Sequence, residues 1–359
     1  MDDKTYNILT LNPGSTSTKV ALYRNEEAIA LEIIRHKPED FKDCIRIMDQ
    51  KEVRTKLLLD FLNAKEVDPS GLDAVVGRGG LVKPIDSGTY RINEKMLRDL
   101  SRGSAGMHAS SLGGIIAAEI GERYGIPAYI VDPVVVDEMA PVAKLSGIPG
   151  IERRSVFHAL NTKAVARACA EKIGIRYEDG RFIVAHMGGG ISVGAHQYGC
   201  VIDVNDALSG EGPFTPERSG SVPLVALIEM CYGGQYTKEE MIALVTRQGG
   251  VLAYLGTSDM VKVEKMIKNG DEYAALVMDA MAYQVCKTIG AMAVVLGNQV
   301  NAIILTGGLA HSLRFTGEIK RRVDQMAPVI TYPGENEMAA LAQGALRILQ
   351  GKEKSLIYQ

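Results

Sequence analysis

The chain has 359 residues, of which 46% are hydrophobic and 23% charged, with a formal net charge of −3. That length predicts about two domains of ordinary globular composition. The slight negative charge and the lack of a long basic run exclude non-specific nucleic-acid binding, which rests on neutralising many phosphates. Five scattered cysteines, none in a C-x-x-C pair, argue against a disulfide framework or a zinc site. The acidic start MDDKTYNILTL is unlike a signal peptide, and no apolar run approaches the length of about 18 residues that a membrane span needs. The expectation is a cytoplasmic protein.

In chain order, NILTLNPGSTSTKVALY (7–23) is an apolar run, a turn of glycine and hydroxyls, a lysine, and a second apolar run. It looks like a phosphate-gripping turn but is not a P-loop. No glycine precedes Lys19, and Val-Ala-Leu-Tyr after it reads as strand. Residues 57–63 have helical spacing. LDAVVGRGG is a strand ending at Gly79 and Gly80. A helix follows over 111–124, with Gly125 as its C-terminal cap. Asp132 follows the strand-like YIV. The Pro/Gly-rich PVAKLSGIPG (141–150) reads as a junction.

A helix is expected over 156–173, ended by Gly174. RFIVAHMGGGISVGAHQYG (181–199) then repeats the strand–glycine turn–strand layout of 7–23. A long helical stretch over 272–296 contains Gly290, which predicts an interruption. NAIILTGG ends at Gly307 and Gly308, as LDAVVGRGG ends in two glycines, and an Ala-rich helix closes the pattern over 337–349. Strands alternating with helices predict an α/β fold, and the paired hairpins suggest a duplicated unit.

Gly14 lets a ligand approach the backbone. Ser15, Thr16, Ser17 and Thr18 offer hydroxyls, Lys19 a charge suited to phosphate, and Asn12 an amide. Gly188, Gly189 and Gly190 can present successive N–H groups to an anion. Two such turns suggest a polyphosphate held between them across a cleft.

NPGSTSTK, HMGGGISVGA and ILTGG resemble the two phosphate motifs and the adenosine motif of the acetate and sugar kinase, Hsp70 and actin superfamily. Further motifs are VGRGGLVKP with Arg78, GMHASS with His108, YIVDPVVVDEMAP with Asp132, RRSVFHALNTKAV with His158, and DALSGEGPFTPERSGSVP with Arg218. In this order they resemble the acetokinase family of carboxylate kinases from residue 8 to about 344, and most closely its butyrate-using branch.

The resemblance implies a two-lobed, duplicated, actin-like ATPase (ribonuclease H-like) fold with a central cleft. Its first lobe would be residues 1–150 joined by the C-terminal helix 338–359, and its second 151–337. It implies reversible, direct in-line transfer of the γ-phosphoryl of ATP to butyrate or a related short- or branched-chain carboxylate, giving an acyl phosphate and ADP. Gly14, Ser15, Ser17, Lys19, Gly188, Gly189 and Gly190 would contact ATP phosphates, and Gly307 and Gly308 adenosine. Arg78 and His108 would bind the acid. His158 and Arg218 would stabilise the transition state, and Asp132 would orient Mg²⁺ or an arginine. Asn12 and Glu337 would help hold Mg²⁺. Glu337 can equally be read as a helix N-terminal charge. The implied assembly is a homo-oligomer, at least a dimer, with no nucleic-acid or membrane partner.

The chain departs from the acetate branch in having Ala109 after His108 and a plain Gly188-Gly189-Gly190, which points away from acetate. A sugar kinase or another ATPase of the superfamily, with Asp132 as base, is the alternative.

Overall fold

The computed structural model describes residues 4–14, 16–42, 44, 46–103 and 109–359. The chain divides into two compact units, residues 1–136 with 336–359, and residues 137–335. The Pro/Gly-rich segment 141–150 therefore lies inside the second unit.

The first unit contains β1 (Asn7–Pro13), β2 (Ser17–Arg24), β3 (Glu27–Arg35), β4 (Ala74–Arg78), β5 (Thr89–Arg91) and β6 (Ala128–Val131). The second contains β7 (Arg181–Met187), β8 (Ile191–Gln197), β9 (Cys200–Val204), β10 (Ala302–Gly307) and β11 (Val329–Pro333). β12 (Leu356–Ile357) returns to the first. The first sheet has the order β12-β5-β6-β4-β1-β2-β3 and the second β11-β10-β7-β8-β9. β1, β2 and β3 form an antiparallel meander, and β4 and then β6 add in parallel on the other side of β1. β7, β8 and β9 form the same meander, to which β10 and β11 add in parallel. This shared topology is the duplication suggested by the paired hairpins.

Period-two alternation sends neighbouring side chains of a strand to opposite faces. In β7, Ile183, Ala185 and Met187 pack with Met278, Met281, Val285 and Ile289 of the helix Glu272–Val295. Phe182 and Val184 pack on the other face with Val165, Ala166 and Cys169 of the helix Ala159–Lys172. In β1, Leu9 and Leu11 join Leu58, Leu62, Leu112 and Ile116 from the helices Lys51–Ala64 and Ser111–Tyr124. The helix Glu337–Leu349 lies against β1, β4 and β6. Each large aliphatic side chain buried this way contributes about 1.5–3 kcal/mol.

The helix Glu272–Val295 starts at an Asp271 cap, whose Oδ1 accepts from Ala274 N at 2.9 Å, and runs through Gly290 without a break. Gly290 costs about 1 kcal/mol relative to alanine, and the buried Cys286, Ile289, Met292 and Ala293 around it offset that cost. Among the described residues no helix is long and apolar enough to cross a membrane.

Candidate active site

In the first unit, strand register collects the candidate residues at one end of the sheet. Asn12 faces Lys19 across the β1–β2 ladder, so their side chains share a face. Leu11 pairs with Gly77 and Arg78 pairs with Val131, which brings Asn12, Arg78 and Asp132 to the carboxyl ends of three parallel strands. In open α/β sheets this is the end where ligands bind.

The buried Glu337 stands in the first turn of its helix beside this row. Its Oε2 accepts from Asn12 Nδ2 at 2.5 Å, and its Oε1 pairs with Arg78 Nη1. The helix N-terminus also favours this carboxylate, the helix-end reading of Glu337.

β4 reaches this position because Gly77 lies against Gly113 at the start of the helix Ser111–Tyr124. A Cβ on Gly77 would overlap the Gly113 carbonyl, and a Cβ on Gly113 would stand 2.5 Å from Arg78 O. Asp132 is buried and left-handed (φ +38°) ahead of Pro133, and its Oδ1 accepts from Gly88 N at 2.7 Å. A non-glycine residue in that region carries strain of the kind found at functional sites. Ser15 and His108 lie outside the described residues.

In the second unit, the turn Gly188–Gly190 closes through a bond from Gly188 N to Gly190 O of 2.9 Å. The Arg218 guanidinium lies where a side chain at residue 190 would go, so a Cβ there would displace it. Arg218 Nη1 donates to Ala207 O at 2.5 Å and Nε to Thr246 O at 3.3 Å. Partial burial lowers the pKa of Arg218 from the usual guanidinium range.

Thr215 fixes the Arg218 loop to the turn. Its hydroxyl donates to Gly189 O at 2.8 Å and accepts from Arg218 N at 2.9 Å. His158 Nδ1 lies 3.0 Å from Ser192 Oγ, and its ring stacks on His186 at 3.8 Å between centroids. His186 Nδ1 lies 2.9 Å from Asn161 Oδ1, and His186 Nε2 lies 3.1 Å from Glu335 Oε1. The contact with Glu335 is a close approach rather than a well-aligned hydrogen bond, since among the described residues Nε2 has no hydrogen-bond partner. Gly307 pairs with Gly334 through two backbone bonds, and Gly308 opens the turn Gly308–His311.

Several of these residues sit in the motifs above without a role assigned to them there. The contacts of His186, Ser192, Asn161 and Thr215 emerge only from the packing, and Arg54, beneath the first hairpin, lies outside every motif. Among the described residues no group of three or more His, Cys, Asp or Glu side chains converges as a metal site.

The fold is similar to that of solved kinases. Porphyromonas gingivalis acetate kinase matches at 21% identity with a TM-score of 0.81, covering 96% of this chain and 100% of that one. A propionate kinase from Francisella tularensis subsp. tularensis matches at 20% with a TM-score of 0.74, covering 94% and 98%. A ROK hexokinase from Thermus thermophilus matches at 12% and 0.50, covering 97% and 100%, so the sugar kinases are distant relatives in fold. These likenesses define a duplicated kinase fold of the acetate and sugar kinase type. The acetokinase family model matches residues 143–326, just over half of the chain. The chain belongs to the acetokinase family, the ATP-dependent kinases of short-chain carboxylates.

Proposed function

We propose that this acetokinase prefers butyrate or a related short- or branched-chain acid, and that the residues described above carry the transfer. The observation that carries the reading is Arg218, held against the Gly188–Gly190 turn by Gly190 and Thr215. A cation fixed at a phosphate-binding turn serves a transferring phosphoryl group.

A carboxylate is ionised at neutral pH, with an ordinary pKa of about 4, and attacks without a base. The obstacle is the approach of an anion to a polyanion. Arg78 offers guanidinium donors beyond its contact with Glu337 and binds the acid. Arg218 and His158 meet the charge on the equatorial oxygens, Lys19 meets the ATP phosphates, and Gly307 and Gly308 leave room for adenosine. His186 orients His158 by stacking, and Asp132 holds the strand end beside Arg78.

Asn12 and Glu337 suit Mg²⁺, which keeps much of its water and takes one or two protein oxygens with the nucleotide phosphates. Held there, Mg²⁺ would neutralise phosphate charge.

Preference for an acid larger than acetate is supported by the Ala109 and triple-glycine departures from the acetate pattern. One methylene is worth about 1–3 kcal/mol, so neighbouring acids remain substrates. A homo-oligomer is supported by the helix Leu224–Tyr232, an apolar segment with no buried residue, and sedimentation tests it. Free cysteines accord with a cytoplasmic enzyme.

The deciding experiment traps acyl phosphate with hydroxylamine, using ATP, Mg²⁺ and acetate, propionate, butyrate, isobutyrate or valerate. Acid-dependent hydroxamate, highest with the four- and five-carbon acids, is expected. Highest turnover with acetate overturns the preference. No hydroxamate with any acid overturns the carboxylate mechanism.

A further inference from the structure

Arg54 is the largest fully buried side chain among the described residues, 1% exposed, on the helix Lys51–Ala64. Its nearest rival, Lys163, is neutralised by Glu138 at 2.9 Å. The partners of Arg54 among the described residues are all neutral. Nη2 donates to Gly14 O at 2.9 Å, and Nη1 donates to Thr18 Oγ1 at 2.6 Å and to Ser17 O at 3.4 Å. Gln50 Oε1 accepts from Nε at 3.2 Å and from Nη2 at 2.9 Å. The Phe41 ring lies 5.0 Å from the guanidinium carbon. Burial pulls the pKa of Arg54 down to about 10, which leaves it charged at neutral pH. Burial first, then the charge of Arg54, lowers His36, which meets Thr18 Oγ1 from the other side at 2.9 Å.

Three of these bonds take acceptors from a single turn. The carbonyls of Gly14 and Ser17 would repel a phosphate; Gly14 O is held by Arg54, and Ser17 O by Gly14 N at 2.7 Å with Arg54 behind it. With these carbonyls engaged, Lys19 at the end of the ladder is the charge the hairpin offers a ligand. We infer that Arg54 is a positioning residue for nucleotide binding: it holds Gly14, Ser17 and Thr18 of the first hairpin in an anion-accepting arrangement and lends them a fixed positive charge from inside the unit. The inference rests on the reading of this hairpin as a phosphate site.

Calorimetry on the full chain tests it with Mg-ATP, Mg-ADP and adenosine, without any acid. Wild type binding ATP no better than adenosine would defeat the phosphate reading itself. Given a wild type that passes, Arg54→Met is expected to weaken ATP about tenfold or more while adenosine stays within about twofold, and Arg54→Lys to recover part of the loss. A uniformly destabilised protein would instead lose both ligands together. Unchanged ATP affinity, or equal losses for ATP and adenosine, overturns the inference. If Arg54→Met does not fold, Arg54→Lys decides. A loss of about threefold or more for ATP alone supports the role, and any other pattern overturns it.

Discussion

Arg78 and Glu337 are 259 positions apart in the chain and form an ion pair within the first unit, with Asn12 on the other carboxylate oxygen. Breaking a buried pair from one side strands the remaining charge at a cost of about 3–5 kcal/mol, whereas removing both partners costs much less. Arg78→Ala is therefore expected to lower stability in urea unfolding and to raise KM for the acid about tenfold or more. Arg78→Ala combined with Glu337→Met is expected to regain stability without regaining activity. A double variant no more stable than Arg78→Ala alone would show that the pair is not what the strand end depends on.

Arg218→Ala removes a transition-state cation, an effect worth about 10³–10⁵ in rate in phosphoryl transfer, or roughly 4–7 kcal/mol. Gly190→Ala places a methyl where the guanidinium lies and is expected to give a loss of the same kind. Steady-state kinetics on folded protein checks both. Turnover of Arg218→Ala within tenfold of wild type removes Arg218 from the mechanism.

Thr215→Val keeps the shape of the side chain and deletes the hydroxyl that links Gly189 O to Arg218 N. Three hydrogen bonds, the third from Glu217 N at 3.1 Å, at about 0.5–1.5 kcal/mol each, predict a fall in kcat of about tenfold or more. Thr215→Ser should restore most of it. Equal activity in Val and wild type would mean that the Arg218 loop holds its place unaided.

Lys19→Ala should weaken ATP binding about tenfold or more while the melting temperature changes little, because Lys19 is only half-buried and stands at the sheet end beside Asn12. Titration calorimetry reads the effect, and an unchanged affinity would remove Lys19 from the phosphate site.

His196 is fully enclosed. Its Nδ1 lies 2.8 Å from Tyr177 OH, and burial, with Lys163 and Arg167 adding, pushes its pKa well below the usual imidazole value. The folded state therefore holds His196 neutral, while the unfolded chain takes up a proton below about pH 6.5. This contribution to stability is complete above that pH and declines as the pH falls through it. Melting temperature measured from pH 7.5 to 5.5 should fall with acid, and His196→Gln should flatten the fall. An equal slope in both proteins would assign the acid sensitivity to other groups.

Local pattern announced much of this fold. The β1–β2 hairpin at Gly14, its repeat at 188–190, and the capped helix Ser111–Tyr124 each follow from short-range chemistry, the preference of glycine for tight turns and left-handed caps and the spacing of apolar residues. Gly290 misled because its propensity cost is small beside the packing of a long buried helix.

The amino-acid order alone carried the duplication, the two glycine hairpins and Arg78, Asp132, His158 and Arg218 in recognisable motifs. Tertiary structure decided which groups meet. Strand register aligned Asn12, Lys19, Arg78 and Asp132, and a helix from the far end of the chain delivered Glu337 to them. The stacking of His186 on His158, the hold of Thr215 on Gly189 and the burial of Arg54 under the first hairpin likewise join residues with no fixed spacing in sequence. Such contacts depend on how helices close over a sheet, and that geometry is set by the whole packed core rather than by any local run of residues.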